Sequence, residues 1–433
     1  MAEESKKIEP QIQKDTGIPP APVKKKKRPF WKVIGPGLIT GAADDDAGGI
    51  ATYTSVGAAT QFKLLWLMLL TTPMLIAVQE MCAKVGYVTK KGLGALIREK
   101  YGPAIALIAV GALVIANTAT TAADIAGMSV AIELITGIHA IFFVIPFGLL
   151  VWLIVVKFNY KKLEKFLVFL SLGFLAYIIT AFIVNPPWWE IIISTFMPSI
   201  ELKASFLLLA VGLLGTTITP YLHFYQSGAE VEKGKERENY GETKKDVYIG
   251  MIYCNIISYF IIVVAGTVLF TNGITNIATA GDAALALGPL AGQWAVYLFA
   301  IGLFAASMIA AFVLPLSTAY AITETFGLET GVSKTIKQAP IFNIIFAVTL
   351  IVGASIVLLG ANPIQVMIIS QVICGVVDPI IIFLLMRITN DKQYMGDKAN
   401  GRLMNFWGWL TFVVLSIFVV LMFLSFTGVF GAG

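Results

Sequence analysis

Three consecutive aspartates, Asp44, Asp45 and Asp46, lie within an otherwise apolar segment and are followed directly by Ala47-Gly48-Gly49. A carboxylate at bilayer depth costs about 2.5–3.5 kcal/mol, so three in succession need a cation or water beside them. Each of the two glycines disfavours a helix by about 1 kcal/mol relative to alanine. An acidic cluster beside a broken helix is typical of a cation-binding site inside a membrane.

A second helix break is expected near Pro220, in the run Gly215-Thr216-Thr217-Ile218-Thr219-Pro220. Proline removes a backbone donor and clashes with the preceding turn, so it frees carbonyl groups that can ligate a cation. The two breaks lie five predicted spans apart, which fits a five-plus-five inverted repeat with a central site. Glycine and proline also occur in membrane helices as packing or kink residues. Either break alone would fit that structural role, but the two together favour a binding site.

The composition is that of an all-α, multi-pass membrane protein. The 433 residues are 57% hydrophobic and only 13% charged, whereas a soluble domain carries about 25% charged residues. Segments long enough to span a bilayer are predicted at about 32–57, 64–87, 103–136, 140–156, 163–184, 204–228, 246–270, 291–325, 341–359, 362–386 and 404–430. These eleven spans form one transporter domain over 31–430, with repeats at about 32–184 and 204–386 and an extra helix at 404–430.

Basic residues predict the orientation in the lipid bilayer. We expect residues 1–30 to form a disordered cytoplasmic tail, because they are polar and lack the apolar core of a cleavable signal. The tail ends in the basic run Lys24–Arg28, which topology explains better than nucleic-acid binding. Only Lys63 and Lys203 fall in connections predicted to be external. The positive-inside rule therefore predicts a cell-membrane protein with a cytoplasmic N-terminus and an external C-terminus.

The chain resembles the Nramp family of divalent-metal transporters. The resemblance runs through Gly35-Pro36-Gly37, the run from Asp46 to Thr52, the segment from Gly215 to Ser227, and Ser370-Gln371 with Pro379. It covers the whole predicted membrane region in the number and order of spans. It implies a LeuT-like fold with broken first and sixth helices. It also implies a site made by an aspartate and an asparagine of an Asp-Pro-Gly-Asn motif, a methionine of the sixth helix and backbone carbonyls.

The ligand positions depart from that family pattern. Asp46 stands at the family aspartate, but Ala47 replaces the proline and Gly49 replaces the asparagine ligand. Thr219 replaces the methionine just before Pro220. This set resembles the Nramp-related magnesium transporters, a divergent branch of the family.

The chemistry of the substituted residues favours a hard ion. Methionine sulfur suits late transition metals, whereas Thr219 offers a hydroxyl and Gly49 leaves volume for water. Mg²⁺ insists on octahedral geometry and usually keeps several waters. We therefore expect a partly hydrated Mg²⁺, or Mn²⁺, held by Asp46, Thr219 and carbonyls near Ala43 and Thr216. Asp45 is expected to hold solvating water or to line the path to the site, Asp44 has no assigned role, and discrimination against Ca²⁺ is expected.

Proton coupling is expected to be weak or absent. Tyr221 and Gln226 stand where the family usually has two histidines, and Thr121 stands at a usual aspartate of the third span. Asp124 retains an acid at a usual glutamate position. Side chains that could line the pathway or support the site are Asp124, Tyr221, His223, Gln226, Asp378 and Gln371.

Two other transport functions remain open, and catalysis is disfavoured. One is a proton-coupled Mn²⁺/Fe²⁺ transporter, the ordinary family activity. The other is a Na⁺-coupled symporter of organic amines with a LeuT-like fold, since three aspartates would repel an acidic substrate. The sequence contains no nucleophile–base pair, phosphate loop or catalytic metal spacing, so we expect no enzyme activity and no cofactor. It leaves the oligomeric state open, a monomer included.

Overall fold

All regular structure in the described part of the chain is helical. A computed structural model describes residues 36–158, 160–233, 240–277, 283 and 293–427. The expected tail at 1–30 and most of the predicted external C-terminus lie outside these residues. The helices are α1 (Pro36–Asp44), α2 (Ala47–Thr60), α3 (Leu65–Thr89), α4 (Leu93–Thr136), α5 (Ile141–Lys157), α6 (Tyr160–Ser171), α7 (Leu175–Ile183), α8 (Trp188–Phe196), α9 (Ala204–Thr217), α10 (Pro220–Lys233), α11 (Tyr240–Val268), α12 (Gln293–Phe326), α13 (Pro340–Leu358), α14 (Pro363–Thr389), α15 (Lys392–Met395) and α16 (Arg402–Phe426).

The two helix breaks are confirmed. Helix α1 ends at Asp44 and α2 begins at Ala47, with Asp46 as an extended N-cap residue (φ −71°, ψ 179°). Helix α9 ends at Thr217, Ile218 is extended (φ −122°, ψ 95°), and α10 begins at Pro220. Each break therefore leaves two non-helical residues, Asp45 and Asp46 in the first span and Ile218 and Thr219 in the second.

The helices account for the predicted spans. By length and composition, nine helical segments of the described residues are long and apolar enough to cross a membrane. The broken pair α1–α2 and the 17-residue helix α5 supply the remaining two of the eleven predicted spans.

The structure differs from the prediction at two places. Helix α4 begins at Leu93 rather than at 103, and Gly102, with φ +84°, forms a bend before Pro103. Its first part carries Arg98, so its hydropathy is low although Leu93 is buried. A further short helix, α8, lies in the connection after span five, where no helix was predicted.

Helices α1 and α11 pack along one stripe of α11 residues spaced four apart, which begins with Asp246 and Gly250. Asp246 accepts hydrogen bonds from the backbone N–H groups of Gly37 (2.8 Å) and Leu38 (3.2 Å), the first turn of α1. At Gly250 the backbones approach so closely that a Cβ would lie 2.1 Å from the Gly37 carbonyl oxygen. Gly41 faces the Gly250 carbonyl in the same way, at 2.3 Å. Residues without side chains thus let α11 hold α1 in place.

We expect Gly250→Ala to destabilise the protein, because the methyl group meets backbone atoms that cannot move aside. Overpacking of this kind costs about 1–3 kcal/mol, so the melting temperature in detergent should fall. Gly111→Ala is the matched control, since a Cβ at that helical position meets no atom within 4 Å. Equal melting temperatures for the two variants would contradict the proposed close packing of α1 on α11.

Candidate metal-binding site

Asp46 is the centre of the candidate site. Its carboxylate Oδ1 accepts a hydrogen bond from the Gly49 N–H at 2.5 Å, as expected of an N-cap residue. The side-chain amide of Gln371, on α14, donates to both carboxylate oxygens at 3.0 and 3.1 Å. Both side chains are fully buried. Gln371 is thus the closest side-chain partner of Asp46, although the sequence indicated it only as a weak candidate.

Gly48 allows the Gln371 amide to reach Asp46. A Cβ at Gly48 would lie only 2.0 Å from Gln371 Nε2 and 2.9 Å from the amide carbon. Because glycine has no side chain, Gln371 of α14 can approach the start of α2 closely enough to reach Asp46.

Tyr221 connects the two broken spans. Its hydroxyl donates to the carbonyl oxygen of Ala43 at 2.6 Å and lies 3.5 Å from Asp46 Oδ2. The Ala43 carbonyl, a predicted ligand, already has a hydrogen-bond donor in this conformation. The sequence indicated Tyr221 as a replacement for a family histidine and as a possible pathway residue, whereas its contact with the first break depends on the packing of α10.

Two threonine hydroxyls supply further oxygens. The hydroxyls of Thr216 and Thr219 are buried and make no hydrogen bond among the described residues, and the same holds for Gln371 Oε1. A Cβ at Gly49 would lie 2.8 Å from the Thr216 hydroxyl. The sequence predicted that Gly49, which has no side chain, leaves space for water. The Thr216 hydroxyl borders that space.

Asp124 also reaches the first break. Its Oδ1, on α4, accepts a hydrogen bond from the Ala47 N–H at 3.1 Å, while Oδ2 has no partner among the described residues. Asp124 and Asp46 thus both bind backbone donors at the N-terminus of α2, where the helix dipole favours negative charge.

The other two aspartates face α11. Asp44 Oδ2 accepts from the Cys254 thiol at 3.5 Å, and Asp45 Oδ1 accepts from the Ser258 hydroxyl at 2.5 Å. Cys254 and Ser258 continue the α11 stripe that begins at Asp246 and Gly250. The structure therefore places Asp44 and Asp45 against α11, while Asp46 contacts α10 and α14.

The remaining candidates lie outside the contacts of Asp46. His223 Nε2 is 2.8 Å from Asp378 Oδ1, and its Nδ1 is 3.1 Å from the amide nitrogen of Gln79 on α3. Gln226 accepts a hydrogen bond from the Thr40 hydroxyl at 2.5 Å. Sequence reasoning missed Gln79, whose only indication is that it is a polar residue within an apolar span.

The candidate ligand atoms at the two breaks are oxygens: the Asp46 carboxylate, the Thr216 and Thr219 hydroxyls and the Gln371 amide oxygen, of which the last three have no partner among the described residues. No group of three or more His, Cys, Asp or Glu side chains in the described ranges is arranged to hold a metal ion. Binding at Asp46 would therefore depend on these neutral oxygens and on water, an arrangement that suits a hard cation.

Comparisons with known proteins agree on a family and a fold. The profile of the Nramp family, natural resistance-associated macrophage protein-like, matches residues 37–425. The divalent metal cation transporter MntH of Erwinia tasmaniensis is 28% identical over 402 residues, which cover 91% of this chain and 94% of that protein.

Two solved structures support the same fold. The Eremococcus coleocola manganese transporter, solved with an aromatic bis-isothiourea compound, superposes with a TM-score of 0.73 at 19% identity over 96% of this chain and 90% of that one. The LeuT-fold transporter MhsT, solved with L-phenylalanine, gives a TM-score of 0.60 at 16% identity, over 90% of this chain and 98% of that one. The LeuT-like fold is thus confirmed.

We expect Gly48→Ala to weaken divalent-cation binding, because the added methyl group displaces the Gln371 amide that orients Asp46. Loss of an orienting partner typically costs about 10–100-fold in metal affinity. Titration of purified protein with Mn²⁺ would measure the change. Gly212→Ala, where a Cβ meets only ordinary contacts at 3.4 and 3.7 Å, should bind like wild type. Unchanged affinity in Gly48→Ala would contradict the role assigned to Gln371.

Proposed function

This chain belongs to the Nramp family of divalent-metal transporters, and we propose that its main cargo is Mg²⁺, with Mn²⁺ carried as well. The ion binds at Asp46 between the two helix breaks and crosses by alternating access with little or no proton coupling. The observation that carries the choice of cargo is the donor set. Thr219 stands at the position of the family methionine, and its hydroxyl is free for an ion.

The oxygens favour an ion that keeps part of its water shell. Asp46 offers the one carboxylate at the centre, and the hydroxyls of Thr216 and Thr219 are uncharged and free. Mg²⁺ is commonly bound through one or two carboxylates together with several waters, and Mn²⁺ also accepts oxygen ligands. A soft cation gains little from this set, because no thioether takes part.

Gln371 would allow an ion to replace the hydrogen bonds that Asp46 accepts in the empty site. Without an ion, its amide N–H groups occupy both oxygens of Asp46, while its own Oε1 has no partner. Rotation of the amide would turn Oε1 towards the ion and release the carboxylate in the same step. In the empty site, the Gln371 amide N–H groups donate to Asp46 in place of a cation. In the filled site, Gln371 Oε1 would be a ligand of the ion.

The distribution of basic residues supports the proposed orientation of the chain in the membrane. We place the N-terminus in the cytoplasm and the C-terminus outside. The lysine-rich end of the bundle, where α3, α10 and α14 end at Thr89, Lys233 and Thr389, then faces the cytoplasm.

A proton-coupled Mn²⁺/Fe²⁺ transporter is the second candidate. The printed names of two similar proteins, the divalent metal cation transporter MntH and the Eremococcus coleocola manganese transporter, support the metal part of this alternative. A Na⁺-coupled amine symporter has less support, because the likeness to MhsT at 16% identity concerns the fold alone.

Asp46→Ala should reduce uptake of both Mg²⁺ and Mn²⁺ into proteoliposomes by more than about 100-fold, because it removes the central carboxylate. The assay offers each ion separately to wild type and variant. Asp397→Ala, at an exposed carboxylate, is the control and should transport normally. Clear preference of the wild type for Fe²⁺ or Cd²⁺ over Mg²⁺ would refute the proposed cargo, whatever the effect of the substitution.

Ion uptake should proceed without matching proton movement. A membrane potential of 100 mV supplies about 2.3 kcal/mol per charge, so a divalent ion gains about 4.6 kcal/mol, which corresponds to roughly thousandfold accumulation. Liposomes that contain a pH-sensitive dye, with a potential set by a K⁺ gradient, would report proton entry during Mg²⁺ uptake. Acidification at a rate equal to ion uptake would establish the proton-coupled alternative instead.

A further inference from the structure

Gln79, His223 and Asp378 form a polar cluster that the site at Asp46 does not use. They come from α3, α10 and α14, and all three are fully buried. The imidazole of His223 lies between the other two, 3.1 Å from the Gln79 amide nitrogen and 2.8 Å from Asp378 Oδ1. The three helices that carry them also contribute to the lysine-rich end of the bundle.

The cluster has more acceptors than donors. With the Gln79 amide N–H directed at Nδ1, the neutral imidazole carries its proton on Nε2 and donates it to Asp378. Gln79 Oε1 and Asp378 Oδ2 are then left without partners among the described residues. An unsatisfied buried polar atom costs about 1–3 kcal/mol, and more when it is charged. Two such oxygens, one of them on a carboxylate, are suited to a cation.

The cluster lies beyond Asp46 in the direction of the lysine-rich end. His223, on α10, follows Thr219 of the break by four residues, and Asp378 follows Gln371 by seven along α14. At 1.5 Å per residue these separations are about 6 and 10 Å. Helix α10, which begins directly after Thr219, and helix α14, which carries Gln371, therefore also carry two residues of this cluster, about one to two helical turns farther along.

We propose that Gln79 and Asp378 form a second divalent-cation site, with His223 as the residue that orients both, where the ion resides after it leaves Asp46. This inference rests on the proposed function, since it assigns a second position to the same cargo. The hydrogen bond from His223 holds Asp378 Oδ1 and leaves Oδ2 for the ion, as partners of metal ligands commonly do. Because the imidazole separates the two free oxygens, the site suits an ion that keeps water in its shell.

The test counts bound ions and locates them in the full-length protein. Crystals soaked in Mn²⁺ would be examined by anomalous scattering, and equilibrium dialysis would give the number of ions per chain. The wild type should bind two Mn²⁺, one at each position. Asp378→Asn should lose the ion near α3 and keep the one at Asp46, while Asp46→Asn should do the reverse.

Two further variants separate metal binding from a structural role of the cluster. His223→Gln should keep the second ion with at least tenfold weaker affinity, because both ligands remain but lose their orienting partner. Glu80→Gln is the control, since this buried carboxylate already accepts hydrogen bonds from Tyr240 and Tyr248, and it should still bind two ions.

The two possible failures are distinguishable. A single ion in the wild type that is lost in Asp46→Asn and kept in Asp378→Asn would overturn the second site and leave the proposed function intact. Two ions that persist in Asp46→Asn would overturn the proposed central site instead. Two ions in Asp378→Asn would also overturn the inference, because the ligand removed was then not required.

Discussion

The structure depends on the burial of carboxylates in an interior with few donors. Asp44, Asp45, Asp46, Asp124 and Asp378 are all fully buried. Each accepts at least one hydrogen bond or imidazole contact, and the donors come from α2, α10, α11 and α14. A hydrogen bond to a charged group contributes about 1.5–3 kcal/mol, and its loss inside a protein costs more than that. The carboxylates therefore tie together helices that are distant in sequence, and Asp44, Asp45, Asp124 and Asp378 each keep one oxygen without a partner among the described residues.

Close backbone approach makes these contacts possible. Along α1 and α11, Gly37, Gly41 and Gly250 bring the two backbones within reach, so that Asp246 can cap α1 at one end. Beyond the glycines, the same stripe of α11 meets the aspartates at the end of α1. At the second contact, Gly48 lets α14 place an amide directly on Asp46. Small residues drive the association of helices in membranes because lipid provides no hydrophobic force between them. Here they also determine which polar side chains can meet.

The features that the sequence predicts are those that depend on the backbone properties of individual residues. Pro220 and the Gly48-Gly49 pair break their helices by their own backbone properties, so both breaks are readable from the chain. The partners of the aspartates were not readable, because Ser258 lies 213 residues from Asp45 and meets it only when α11 packs on α1. The space at Gly49 could not be judged either, since it depends on where the Thr216 hydroxyl lies. Sequence thus predicts where helices stop, whereas the direction of each polar side chain follows from tertiary packing.

Some oxygens of the candidate site have no hydrogen-bond partner among the described residues, which suits a site that binds an ion and then releases it. A site in which every oxygen had a protein donor would hold no ion, and a rigid cage of carboxylates would bind a divalent ion too tightly to release it. The candidate site lies between these extremes, because Gln371 donates to both oxygens of Asp46, whereas the hydroxyls of Thr216 and Thr219 and Gln371 Oε1 have no partner among the described residues. In the proposed site, an ion would exchange the two hydrogen bonds from Gln371 for contacts with the Asp46 carboxylate and with Gln371 Oε1. Such an exchange would let an ion bind on one side of the membrane and leave on the other, because the same amide stabilises the carboxylate when no ion is bound.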